Sequence, residues 1–410
     1  MPSYRLEADD LADFDQLVPD FITLASAVND PRVKGRTTHH LTTILFVCVS
    51  ASMAGAKSVH AFGEFAADTW EWVRQCLGDQ VGLKPVSHDT IGRLLQKMKP
   101  DILEQLLADV SRRKASLRPE DQIAIDGKRL GGTARRDLMN LSLADGGEQP
   151  FTTVTAYGVD SGLVLGCHTS RDPGSEHACV AQTLAMIDVR GAVVTMDAGN
   201  AYPKFCEPIL AGRGEYLMCI KGNNARTQEL CRQVFDAGVE RDYSTHTETV
   251  AARGDARHVR TTTLTPARKA GHGTGACDAE LASHWPGAVC VIEIQRERKT
   301  RNHRLDDRGT PKVSWHTVYY VCSQYLTAKD ACRYIREHWH VENKVHYTMD
   351  VAYGEDASRA KTGYIASNLA AIKRLANNML AAVTGKASTR RFQMKFAVDQ
   401  RWRDQVWGLI

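Results

Sequence analysis

A chain of 410 residues, 43% hydrophobic and 24% charged, can bury a large core and has the make-up of a globular protein, not a disordered or fibrous one. Its net charge of +4 is too mild to argue by itself for a polyanionic partner. The eleven cysteines are odd in number, sit mostly in apolar runs and include no Cys-x-x-Cys, which argues against a disulfide scaffold and for reduced thiols in a cytoplasmic protein.

Residues 1–30 are acidic (Glu7, Asp9, Asp10, Asp13, Asp15, Asp20, Asp30) and do not read as a signal peptide. Helical patterning runs over residues 9–110. Asp9 to Phe21 is amphipathic, and Leu41–Met53 is apolar but shorter than a bilayer requires, so a buried core helix and no membrane span are expected. Val59–Cys76 carries an apolar and aromatic face. Ser87 is a good N-cap for a helix reaching Met98, with Ile91, Leu94, Leu95 and Met98 on one face. Asp89, Thr90, Arg93 and Lys97 line the other, which suits either a DNA major groove or the solvated side of a bundle.

The texture changes at Pro119. Gln122–Asp126 reads as a strand, and Phe151–Val159 with Gly162–Ser170 as a hairpin. Strands Ala192–Met196 and Glu215–Ile220 then alternate with helices Glu176–Asp188 and Tyr202–Leu210. That order predicts a mixed sheet flanked by helices. Threonine- and valine-rich runs between about 223 and 327 predict a β-rich insertion, with a polar, basic linker at Arg296–Pro311. Helical periodicity returns at Ala328 and again over Ser367–Val383. The expected organisation is a helical N-terminal domain (1–115), an α/β domain (116–385) carrying that insertion, and a basic C-terminal tail (386–410).

Two aspartates, Asp126 in Ile123-Ala-Ile-Asp-Gly-Lys128 and Asp197 in Ala192-Val-Val-Thr-Met-Asp-Ala-Gly199, each end an apolar strand. A charge beside a core strand is costly unless paired or bound to metal. Glu342 follows in the helical run Arg336–Asp350, where His338, Glu342, His346 and Asp350 recur every four residues. Three such oxygen donors suit one or two hard divalent cations at a phosphate. Lys221-Gly-Asn-Asn224 offers a cation and backbone N–H groups to a phosphate. Basic stretches flank Asp126 (Arg112 to Arg136) and fill the chain from Arg359 onward, as a polyanionic substrate would need. Trp285 and Trp315 in the insertion are candidates to stack on a displaced base.

Ile125-Asp-Gly-Lys128, Thr195-Met-Asp-Ala198, Lys221-Gly-Asn223, Arg336-x-His-Trp-x-x-Glu-Asn343 with His346 and Asp350-Val351, Glu355-Asp356 with Arg359, Asn368-Leu-Ala370 and Lys373-Arg374 together resemble the H-repeat-associated (ISAs-type) insertion-sequence transposases of the DDE superfamily. The segment from Asp30-Pro-Arg32 through Ser87-His-Asp-Thr-Ile-Gly-Arg93 is similar to that family's associated N-terminal domain. The resemblance spans roughly residues 12–385. It implies an RNase H-like core, with Asp126, Asp197 and Glu342 as catalytic acids holding Mg²⁺ or Mn²⁺ ions, two of them. It further implies double-stranded DNA as partner, both terminal inverted repeats and target, and a homodimer on paired ends in a bacterial cytoplasm. Arg93, Lys128, Arg129, Lys221, Asn223, Arg336, His338, His346, Arg359, Lys373 and Arg374 are the residues expected to contact DNA. The chain departs from the wider superfamily where the glutamate helix usually carries Tyr, Arg and Lys, having Ile335, His338 and Met349, and it has Tyr202 where a glutamine is common. Two other readings stay open: a domesticated DNA-binding protein that kept the fold, and a metal-dependent nuclease that cuts without joining.

Overall fold

The computed structural model of the chain describes residues 17–33, 35, 37–78, 81–114, 118–134, 149–172, 175–236, 241–250, 255–264, 275–299, 313–384 and 389–408. The expected helix start at Asp9, Arg136, most of the 296–311 linker and Lys386 lie outside the described residues. In chain order the elements begin with α1 (Leu17–Ala27), α2 (Leu41–Met53), α3 (Val59–Leu77), α4 (His88–Lys97), α5 (Pro100–Lys114), β1 (Gln122–Leu130), β2 (Phe151–Gly158), β3 (Leu163–Ser170) and α6 (Ser175–Met186). They continue with β4 (Val193–Met196), α7 (Cys206–Ala211), β5 (Glu215–Ile220), α8 (Ala225–Asp236), β6 (Ser244–Val250), β7 (Asp255–Thr263), α9 (Gly275–His284), β8 (Cys290–Lys299) and β9 (Val313–Cys322). The last are α10 (Ala328–Glu337), a π-helical turn at Val341–His346, α11 (Tyr347–Val351), α12 (Ile365–Thr384), α13 (Thr389–Val398) and α14 (Gln400–Val406). The chain divides into two units: residues 1–116, 127–187 and 341–410 in the first, and 117–126 with 188–340 in the second.

In the first unit, α2 is buried at every position but Thr42, as a helix apolar all round requires. Ser58 and Ser87 cap α3 and α4, accepting from the amides of Ala61 (3.2 Å) and Thr90 (3.3 Å). Helix α12 packs against α2, α4, α5 and β3. Its Asn368 amide donates to the carbonyls of Leu95 (2.7 Å) and Met98 (2.8 Å) at the end of α4. Asn378 reaches Ser111 on α5 and the Val164 carbonyl on β3. Strands β2 and β3 form the expected antiparallel hairpin, with β1 next in strand order. The C-terminal stretch is not the tail expected: α13 and α14 are folded onto the N-terminal helices. Trp407 is fully buried, its ring 4.5 Å from Phe46 and 5.5 Å from Phe21, and Trp72 Nε1 donates to Asp404 at 2.8 Å.

In the second unit the strand order is β1-β4-β5-β9-β8-β7-β6. β1, β4 and β5 are parallel, and β9 runs antiparallel to β5 and begins an antiparallel meander through β8, β7 and β6. The β-rich insertion is therefore a continuation of the core sheet, accompanied by α8 and α9. Trp285 is buried, with Nε1 donating to Thr227 Oγ1 at 3.2 Å, so it cannot stack on a base. Trp315 is 57% exposed and lies against the His258 ring. All eleven cysteines are free thiols. Among the described residues no helix is long and apolar enough to cross a membrane.

Candidate active site

Strands β1 and β4 pair in parallel from Gln122↔Val193 to Ile125↔Met196. The next residue on each is Asp126 and Asp197, so two carboxylates stand in the same register on neighbouring strands; Asp197 follows the end of β4, whereas β1, expected to stop at Asp126, runs on to Leu130. Four buried residues precede each one and both are half-buried themselves. Like charges held this close repel, and a divalent cation is the usual compensation. The turn after Asp197 is local chemistry: the Asn200 amide donates to the Asp197 carbonyl and to its Oδ1, both at 3.1 Å. A Cβ on Gly199 would sit 3.4 Å from both Asp197 carboxylate oxygens, so glycine keeps the space beside them clear. Hard oxygen donors with clear space fit Mg²⁺ or Mn²⁺ better than a soft metal. Among the described residues, however, no group of three or more His, Cys, Asp or Glu side chains stands together as a ready metal site.

Two sets of contacts hold this edge. Asn223 donates its side-chain amide to the Ala198 carbonyl and Asn224 donates to the Ala201 carbonyl at 2.9 Å. The Lys221-Gly-Asn-Asn turn thus grips the loop that follows Asp197. Asn223, expected on DNA, has its amide engaged in the protein, while Lys221 beside it is exposed. On the other side Thr195 Oγ1 lies 2.9 Å from His338 Nδ1 and 2.9 Å from Gln122 Nε2, which also donates to the Tyr334 carbonyl at 2.8 Å. Burial pulls the His338 imidazole down to about 4 even though the Asp197 charge raises it, so at neutral pH the ring carries no charge. Gln122 and Thr195 escaped the sequence reading, although a polar residue at each place in apolar strands was a visible signal. Arg336 is exposed and pairs with Glu248 on β6.

In the first unit, Glu342 is exposed on the π-helical turn. That wider turn breaks the four-residue spacing, so His338, Glu342, His346 and Asp350 do not share one regular helix face. His346 is 8% exposed, a core position and not a surface contact for phosphate. Beside Asp126 in sequence, Gly127 faces the Glu176 side chain: a Cβ there would lie 2.3 Å from Glu176 Oε1, so a larger residue would have to displace that carboxylate. Lys128 is engaged inside the protein, with Nζ on Asp350 and 3.3 Å from Asp356 and its side chain 10% exposed. Lys373 and Arg374 correct the expectation most sharply. They are 1% and 0% exposed, and Arg374 forms an ion pair with buried Glu355 at 2.6 Å and donates to Thr155 at 3.1 Å. Neither side chain is at the surface where DNA would bind. Burial would raise the Glu355 carboxyl, but the charge and hydrogen bond of Arg374, with Lys373 and Lys128, hold it below its ordinary value. Arg93, Arg129 and Arg359 are exposed, as phosphate contacts must be.

Known protein families match most of the chain. The model of the transposase DDE domain family matches residues 119–379, and that of the DDE_Tnp_1-associated family matches residues 23–110. The chain belongs to the DDE transposases. Its relatives include the candidate transposase YncI of Escherichia coli O157:H7, 26% identical over 396 residues, covering 95% of this chain and 94% of YncI. Another is the H repeat-associated candidate transposase YhhI of Escherichia coli strain K12, 26% identical and covering 93% of this chain and 96% of YhhI. YbfL of the same strain is 27% identical with the same shares. DDE transposase membership makes the α/β architecture RNase H-like, with a helical N-terminal segment and a β-rich insertion, and it makes the protein a transposase.

Proposed function

We propose that this transposase cuts DNA at the terminal inverted repeats of its own insertion sequence and joins the 3′-OH ends to target DNA. The observation that supports this most is the register of β1 and β4, which sets Asp126 beside Asp197 in a chain of the DDE family. Asp126, Asp197 and Glu342 are the acids that would hold two Mg²⁺ or Mn²⁺ ions, and such ions, when bound, activate a water or a 3′-OH and stabilise the leaving oxygen. The chain's own residues then have separable tasks. Gly199 keeps the Asp197 carboxylate open, and Asn223 and Asn224 fix the loop that carries it. Exposed Lys221, Arg129, Arg359 and Arg93 offset the negative charge of DNA, which the acids alone would repel. Two ends to be cut and joined call for two copies of the chain, a homodimer on paired DNA ends in the bacterial cytoplasm.

Asp126→Asn, Asp197→Asn and Glu342→Gln should each abolish Mg²⁺-dependent nicking of end-containing duplex while leaving duplex binding intact. The loss should exceed the roughly 10–100-fold typical of groups that only support a ligand. Near-normal nicking by any one variant would remove that residue from the site. A chain that nicks but never joins a 3′-OH to target DNA would be a nuclease, and one that binds ends without nicking would be a domesticated binding protein.

A further inference from the structure

The residues around Thr195 define more than a packing contact. Gln122 Nε2 is 2.8 Å from the Tyr334 carbonyl, which can only accept, so the amide nitrogen faces that way. The same nitrogen is 2.9 Å from Thr195 Oγ1, making the threonine oxygen an acceptor there. Thr195 has one hydroxyl proton to place. Its two further neighbours are His338 Nδ1 at 2.9 Å and the Ile123 carbonyl at 3.5 Å, and the shorter, stronger bond goes to His338. An Nδ1 that accepts a proton bond is bare, and the imidazole then carries its one hydrogen on Nε2. Gln122 is itself held in place, since Tyr334 is anchored by its hydroxyl, which donates to the Glu120 carbonyl at 2.7 Å. Among the described residues no group accepts from His338 Nε2, and Thr195, which holds the other ring nitrogen, lies on β4 two residues before Asp197.

We propose that a Gln122–Thr195–His338 hydrogen-bond relay fixes His338 as the neutral Nε2–H tautomer, and that this N–H donates to a non-bridging oxygen of the scissile phosphodiester beside Asp197. The inference rests on the function proposed above and adds a substrate-contacting residue with two positioning residues behind it. Thr195 and Gln122 touch no substrate; they act only by deciding which ring nitrogen carries the proton. A neutral donor keeps its proton through the reaction, so it stabilises charge on the phosphate without acting as acid or base.

The test has two arms on the full chain. In ¹⁵N-labelled protein free of DNA and metal, long-range ¹H–¹⁵N correlation should report His338 with a bare Nδ1 and a protonated Nε2 at neutral pH. Thr195→Val, which keeps the side-chain shape and removes the hydroxyl, should convert this to a mixture of tautomers. A protonated Nδ1 in the unmodified protein would overturn the relay whatever the protein does to DNA. In the second arm, nicking of end-containing duplex by His338→Ala should fall by about 10² in kcat, the loss expected for one transition-state donor. His338→Gln, whose amide nitrogen can take the place of Nε2, should recover most of it. Thr195→Val should lose about 10-fold in kcat with little change in KM. Unchanged nicking by His338→Ala, alongside an active unmodified protein, would overturn the phosphate contact and leave the transposase reading standing. An unmodified protein that does not nick at all would instead count against that reading.

Discussion

Arg374 and Lys373 are adjacent in sequence and both fully buried, yet they face opposite energetic situations. Arg374 satisfies Glu355 with an ion pair and reaches Thr155 and the Ala370 carbonyl. Removing it strands a buried carboxylate, so Arg374→Ala should cost about 3–5 kcal/mol in urea unfolding. Its effect on the salt dependence of DNA binding should be nil, because no phosphate contact is lost. Lys373 is pulled down to about 8 by burial, with Glu355 opposing the shift. Between that value and its ordinary 10.5, the unfolded chain holds the proton and the folded chain does not. Stability should therefore rise with pH across this window, and Lys373→Met should abolish the rise at a cost within about 1 kcal/mol. Glu355 works in the opposite direction. Its folded value lies below the ordinary 4.5, so its contribution is complete above that pH and fades as the pH falls through the folded value. Arg374→Ala should accordingly lose much of the steep acid sensitivity, and an unchanged acid limb would show that the pair is not what acid breaks.

The loop after β4 owes its shape to a second loop, the turn after β5. Asn223→Ala and Asn224→Ala each remove one donor from a backbone carbonyl of the Asp197 loop, so each should cost about 1 kcal/mol and the double variant more. Hydrogen exchange should locate the loosening at the Asn200 amide, whose two bonds define the turn. An unmoved Asn200 amide would mean that the loop holds itself. Much of this region was legible in the sequence. Val193–Met196 and Ile123–Ile125 are apolar but for Thr195, and runs of that kind form central strands buried on both faces; Asp197 marks the end of its strand, whereas β1 continues past Asp126 to Leu130. The π-helical turn was not legible, since an i→i+5 pattern is decided by packing that a local period does not encode. Lys373 and Arg374 misled because a basic pair on a helix normally marks a solvated face. Burial from Ala366 to Ala376 follows instead from partners on several sides, α2, α4, α5 and β3, all distant in sequence.

Helices α1 and α2 share one core with Trp407 after α14, and this changes how DNA binding by the C-terminal residues has to be tested. Deleting residues 386–410 would uncover Phe46, Trp72 and Phe21, the rings against which Trp407 and Phe396 pack. Trp407→Ala alone should cost about 3–5 kcal/mol, the range for emptying a large aromatic site in a core. A deletion would therefore report unfolding and say nothing about charge. Exposed basic residues on α13 and α14 allow a cleaner experiment. Arg390, Arg391 and Arg401 are exposed, whereas Arg403 is buried and donates to the Phe396 and Ala397 carbonyls, and Lys395 lies 4.1 Å over the Trp402 ring. Replacing only the first three by alanine leaves the packing alone and removes three charges. If all three neutralise phosphates, the slope of log affinity against log salt should fall by about 0.9 for each, with end-containing and random duplex weakened alike. Arg93→Ala on α4 should behave differently if it reads a base, weakening binding to the ends by about 1–3 kcal/mol more than binding to random duplex. An unchanged slope in the triple variant would make α13 and α14 a solvated surface whose task is to close the helical core, and would move the DNA path to other exposed cations.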